Sequence, residues 1–110
     1  YPLGNGDMLH ALFMGIHVGQ LTGYRELLDS LNLITCNPAK ALGISERYGV
    51  EEGKDADLVV MDAFSELEAI RTMAPRLLVV KSGRVIVKTD PPQIKIVRNG
   101  KEGLLDRHLQ

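Results

Sequence analysis

The side chains best suited to chemistry in this chain gather near its start. His10 and His17 are two of its three histidines, and His108 lies near the other end. Asp7, His10 and Met14 stand at i, i+3 and i+7, so a helix there places them on one face, with His17 following. An Asp/His pair at i, i+3 can chelate a metal ion. The pattern stops short of a site, because H-E-x-x-H, H-x-H and a third close carboxylate are all missing. Helix histidines bonded to neighbours, or packed on a surface, are the simpler reading.

Other patterns carry less. Gly4-Asn5-Gly6 begins like a dinucleotide fingerprint, but Leu9 stands where the third glycine belongs and no strand precedes it. A tight turn before a helix explains it better. Gly49 to Lys54 begins like a phosphate loop, yet Asp55 replaces the hydroxyl residue and Glu51 and Glu52 would repel phosphate. No G-x-S-x-G elbow exists, and neither Ser30 nor Ser45 has an evident base nearby. Cys36 follows an apolar helix and reads as a buried structural thiol rather than a nucleophile. The acid pairs Glu51/Glu52 and Glu66/Glu68 read as solvated surface. Chemistry alone reveals no active site.

Composition narrows the class. Thirteen basic against 14 acidic residues give a formal charge of −1, which offers no electrostatic footprint for nucleic acid or an anionic membrane. The uncharged stretch Met8 to Tyr24 is broken by histidines and glycines and makes a poor transmembrane span. A lone cysteine excludes an internal disulfide and a Cys-based zinc site, and a reducing, cytoplasmic setting is the natural reading. At 110 residues the chain is one domain at most, with an expected radius of gyration of ~13 Å if compact. It opens Tyr1-Pro2-Leu3-Gly4 without an initiator Met and enters an apolar segment at once, which suggests a piece of something longer.

The elements that would position these residues are helices first and strands later. A helix is expected from Met8 to Leu21, capped by Asn5 or Asp7 and apolar nearly all round. Gly15 and Gly19 would let another backbone come close to it. A second helix is expected over Arg25 to Thr35, then a short one capped by Asn37 and closed by Gly43 at the left-handed C′ position. Asp57 to Asp62 suits a strand buried on both faces. Ser65 opens a capping box and Pro75 ends its helix. Leu77 to Val80 and Val85 to Val87 flank Ser82-Gly83 as a hairpin, Ile94 to Val97 suits an edge strand, and a polar tail starts at Asn99. An all-round apolar helix and four open strands both call for cover from outside the chain.

Three blocks line up with a known family: Thr35 to Gly43, Gly49 to Asp62 with its Gly-Lys-Asp-Ala-Asp run, and Val79 to Val87. Together they resemble the C-terminal end of the amidohydrolase superfamily. Tyr1 to Leu9 and Met14 to Tyr24 look most like the bacterial cytosine deaminases, and the resemblance spans about residues 1–98. It implies an α/β fold, the C-terminal piece of a distorted (β/α)8 barrel with part of a small β-sandwich built from both chain ends. Residues 1–45 would be the last barrel loop and helices, 46–98 sandwich strands, and 99–110 the polar tail.

The resemblance also implies a divalent metal, iron or zinc, in the full-length parent. The family's ligands are an H-x-H on the first strand, histidines on the fifth and sixth, and an Asp on the eighth, with a Glu assisting proton transfer. None of these matches a residue here, so no catalytic residue and no metal ligand is expected in the segment. Tyr1, Leu3 and Asn5 fall on the loop leaving strand eight, on the face where such barrels hold substrate. The parent would hydrolytically deaminate a cyclic amidine such as cytosine; another ring amidine, a triazine or a cyclic amide is the alternative substrate. Implied partners are the missing N-terminal barrel and sandwich strands and a nucleobase-like small molecule, with no nucleic acid or membrane and a homo-oligomeric parent. The rival from another class is a stand-alone interaction module without chemistry.

Overall fold

The structure, a computed structural model, describes residues 3–105. Helix α1 (Met8–Val18) starts where Asp7 is extended, at φ −82° and ψ 116°, and its carboxylate accepts the Leu9 amide at 2.8 Å. Of the two possible caps, then, Asp7 takes the role. Leu9, Leu12 and Ile16 form one stripe at helical spacing and are buried. They meet Ile70 of α4 (Glu66–Arg71), and Phe13, Leu27, Leu31, Ile34 and Met61 pack around that contact. Each fully buried side chain of this kind contributes about 1.5–3 kcal/mol.

Three helix ends share one geometry. After α1, Gln20 turns to φ 55°, its N–H donates to the His17 carbonyl at 3.2 Å, and Leu21 N–H reaches Ile16 at 2.9 Å. After α3 (Cys36–Ala41), Gly43 at φ 72° donates to Lys40 at 3.1 Å and Ile44 to Ala39 at 3.0 Å. After α4, Met73 at φ 47° donates to Ile70 at 3.1 Å and Ala74 to Ala69 at 2.9 Å. Each is a Schellman closure, in which a left-handed residue lets two amides satisfy the last carbonyls. Gly43 stands where expected, but α1 stops short of Leu21 because Gln20 takes the left-handed turn without being glycine.

Two further expectations shift. The helix foreseen over Arg25 to Thr35 is α2 (Tyr24–Asp29) followed by a 3-10 turn (Ser30–Leu33). Ser30 is buried and its hydroxyl donates to the Leu27 carbonyl at 2.8 Å, a local bond that tightens the winding. Asn37 does not cap α3: the helix begins at Cys36, so Asn37 and Pro38 lie within its first turn. There the missing Pro38 N–H still costs nothing.

Strands β1 (Leu58–Met61), β2 (Arg76–Lys81) and β3 (Arg84–Lys88) form an antiparallel sheet in that order, with α4 in the β1–β2 connection. Ser82 and Gly83 turn β2 into β3 at φ 50° and 76°, as that pair suggests. Asp57 locks the turn, accepting the Ser82 amide at 2.8 Å and the Lys81 ammonium at 3.1 Å. The Ser82 amide and then Lys81 hold its carboxyl below the usual range. Beyond Pro91-Pro92, β4 (Lys95–Arg98) pairs with β5 (Lys101–Leu104) in a separate hairpin. The segment from Asn99 is therefore not a plain polar tail. Asn99 and Gly100, at φ 52° and 75°, form the turn their dipeptide favours.

The strand expected to be buried on both faces is half open, with Val59 50% and Val60 44% exposed. Met8 and Val18 on α1 and Val85 to Val87 on β3 are likewise exposed. No close backbone approach uses Gly15, whose Cα faces open space. The radius of gyration is 16.8 Å and the extents are 58 × 36 × 30 Å, well beyond the ~13 Å of a compact chain this long.

Because Gly43 sits in a left-handed well, Gly43→Ala should lower stability by about 1–2 kcal/mol. Gln20→Gly and Met73→Gly remove the same strain, and each should raise stability by about 0.5–1 kcal/mol. Shifts in urea midpoint at constant slope check all three.

Candidate functional site

The loop before α1 and the first turns of that helix enclose an open pocket of about 470 Å³. It is lined by the loop from Gly4 to Met8 and by His10, Ala11 and Met14. Local chemistry builds the loop. Asn5 Oδ1 accepts the Asp7 amide at 2.9 Å, Gly6 takes φ 77°, and Asp7 then caps the helix. Such an Asn-led turn needs a residue free of Cβ where the chain reverses, which Gly6 supplies.

Asp7 has a second partner 69 positions away in sequence. Arg76, the first residue of β2, reaches it with both terminal nitrogens: Nη1 donates to Oδ2 at 3.0 Å and Nη2 donates to Oδ1. The pair is partly shielded, with side-chain exposures of 33% for Arg76 and 26% for Asp7. The Arg76 guanidinium, aided by the Leu9 and His10 amides and opposed by desolvation, holds the Asp7 carboxyl below its ordinary value. The same pairing raises Arg76.

The sequence candidates distribute unevenly over this site. Asp7, His10 and Met14 do share the pocket, but Asp7 is bonded to Arg76 and to the helix amide rather than open to a metal. His17 sits elsewhere, with Nδ1 at 2.7 Å from the Phe13 carbonyl and its ring 4.6 Å from the Phe13 ring. Leu3 is 81% exposed, and Asn5 is exposed at the pocket rim. Tyr1 and His108 lie outside the described residues. Among the described residues, no three His, Cys, Asp or Glu side chains gather to hold a metal ion.

Two assignments are corrected. Cys36 is exposed at the first position of α3 rather than buried. Glu68 is not solvated surface but buried: its Oε2 accepts the Phe64 amide at 3.2 Å while its own amide donates to Ser65 Oγ at 3.1 Å. This resembles the reciprocal reach of a capping box, made one residue before the Ser65 cap, and it folds the glutamate over the helix start. Arg76 was not foreseen at all. It falls between the Pro75 helix stop and the expected strand start at Leu77, and no local pattern links it to Asp7.

With this geometry in hand, kinship is informative. The amidohydrolase family model matches residues 1–87, and the chain belongs to that family. It is 43% identical over 89 residues to N-isopropylammelide isopropyl amidohydrolase of Pseudomonas sp. (strain ADP), covering 81% of this chain and 22% of that protein. Imidazolonepropionase of Thermoplasma acidophilum is 42% identical over 62 residues, covering 56% of this chain and 14% of the relative. Among solved structures, 5-methylcytosine deaminase from Klebsiella pneumoniae liganded with 5-fluorocytosine superposes with a TM-score of 0.82 at 38% identity. That match covers 87% of this chain and 23% of the deaminase. The phosphonocytosine complex of the same enzyme gives a TM-score of 0.78. The chain thus spans under a quarter of the length of these relatives.

The depressed Asp7 carboxyl sets a pH signature. Its stabilising contribution is complete above the ordinary aspartate value and is lost as pH falls through the lower folded value. Asp7→Ala should therefore cost about 1 kcal/mol at pH 7, the usual loss of an N-cap. The difference from wild type should shrink steadily below pH ~4, as followed by urea unfolding from pH 7 to pH 2.

Proposed function

We propose that this chain is the C-terminal scaffold of a metal-dependent amidohydrolase that hydrolytically deaminates a cyclic amidine of the cytosine type. The observation that carries the reading is the 0.82 TM-score and 38% identity to 5-methylcytosine deaminase, sustained over 87% of the chain. The relatives' length supports a longer parent, and so do the uncovered apolar surfaces of α1, β1 and β3. In this reading α1 is the last helix of a distorted (β/α)8 barrel, and β1 to β3 belong to a sandwich whose remaining strands come from earlier in the parent. Residues 3–6 then rim the barrel mouth, with Leu3 and Asn5 facing substrate.

Iron or zinc, which the resemblance implies, finds no donor set among the described residues. In this reading the ligands lie in the rest of the parent, and no step is assigned to the metal through this segment. What the segment supplies is the hydrogen-bonding rim of the pocket and the packing that closes the barrel. No helix among the described residues is long and apolar enough to cross a membrane. A cytoplasmic, homo-oligomeric parent completes the proposal.

A second substrate reading rests on the 43% identity to N-isopropylammelide isopropyl amidohydrolase, which favours a substituted triazine ring. The test is turnover by the purified full-length protein, followed as loss of ring absorbance with cytosine, 5-methylcytosine and N-isopropylammelide. Turnover of the first two supports the deaminase reading, and turnover of the last alone shifts it to the triazine. The isolated 110-residue chain should turn over none of them and should bind a hydrophobic dye through its open faces. A dye-silent monomer would instead favour the stand-alone module.

A further inference from the structure

The fork between Arg76 and Asp7 ties the sheet to the loop before α1, beside the apolar contact of α1 with Ile70. Arg76 is fixed by the sheet: it stands opposite Met61 where the β1–β2 register shifts, directly after Pro75, whose carbonyl accepts the Asp62 amide at 3.0 Å. Asp7 is fixed by the helix, through the Leu9 amide, and by the loop, through Asn5. Three constraints therefore meet at one residue: Asn5 holds its backbone amide, and Leu9 and Arg76 hold its carboxylate. Two are local, and the third brings the sheet to the pocket rim.

A cap alone does not need this fork. An N-terminal carboxylate is already favoured by the helix amides and dipole. A pair as open as this one, with a quarter to a third of each side chain exposed, adds little global stability. Its consequence is geometric instead, since a bidentate guanidinium fixes both the position and the plane of the carboxylate. It also neutralises a charge at the pocket wall, which leaves a hydrogen-bonding rim suited to an uncharged ring rather than a cation.

We infer that Arg76 is a positioning residue: by clamping Asp7 it holds the loop from Gly4 to Asp7 in place and so sets the affinity for an uncharged ring substrate. The inference rests on the proposed location of that loop at the substrate mouth. Misplacing a rim group by about an ångström is enough to change rates by up to a hundredfold. Loss of the clamp acts on binding, because no reacting group is removed.

The experiment uses the full-length protein with Arg76→Met, Arg76→Lys and Asp7→Asn. Asp7→Asn keeps a good cap and loses the charge, so it separates capping from clamping. Arg76→Met should raise KM about tenfold with kcat within about twofold, the pattern of lost uniform binding. Asp7→Asn should follow it, and Arg76→Lys should recover part of the loss, since charge remains and the fork does not. Amide hydrogen exchange over residues 3–10 should quicken about tenfold in Arg76→Met. Unchanged KM and unchanged exchange would overturn the inference, as would a fall in kcat at constant KM. If Arg76→Met does not fold, Arg76→Lys and Asp7→Asn make the same comparison. If the wild type turns over no ring substrate, the proposed function fails; exchange then decides the clamp alone, and an unaltered rate refutes it.

Discussion

The contact between the α1 stripe and Ile70 is the constraint on which this structure depends. Leu9, Leu12 and Ile16 from the helical half meet one side chain from the connection inside the sheet half. Beyond it, the Arg76–Asp7 fork also joins the two halves, and the rest lies within each half: helix closures, strand pairing and the turn lock at Asp57. Without that small apolar junction the Arg76–Asp7 fork would be left to hold the helices to the sheet. With it, α4 stands beside α1 and Arg76 comes within reach of Asp7.

The junction is small because the chain's apolar surface faces two ways. One stripe of α1 is satisfied internally, while Met8 and Val18 on its other sides are exposed. The sheet behaves alike, with β2 half-buried and the side chains of β3 open along its length. Such surfaces do not signal a badly packed protein when the chain spans under a quarter of its relatives. In the proposed reading they are the inner faces of layers whose other halves lie elsewhere in the parent. Site and scaffold divide in the same manner: the pocket rim is here, and a metal donor set is not among the described residues.

Much of this was legible in the sequence, and the exceptions have physical causes. Gly43, Ser65 and Ser82-Gly83 announced their cap and turn because each residue type matches the geometry it must adopt. Gln20 and Met73 take the same left-handed conformation without the residue that advertises it, so α1 read too long. Asn99-Gly100 carries a strong hairpin signal, which the polar side chains around it obscured. Glu68 looked solvated because burial by a capping box depends on a reach-back that composition does not record. Arg76 was invisible for a deeper reason. A pair separated by 69 positions leaves no periodicity, and only the folded sheet brings it into view.

The same division between local and distant bonds has a consequence in time. During synthesis the ribosome delivers α1 first, while Ile70, its apolar partner, is encoded more than fifty residues after Ile16. At ordinary elongation rates that interval lasts on the order of several seconds. Isolated hairpins such as β2–β3 close in about microseconds once made. The α1 stripe therefore waits for Ile70 far longer than a hairpin takes to close. For this segment the pairing of α1 with α4 is timed by translation, whereas the strands close on the timescale of folding itself.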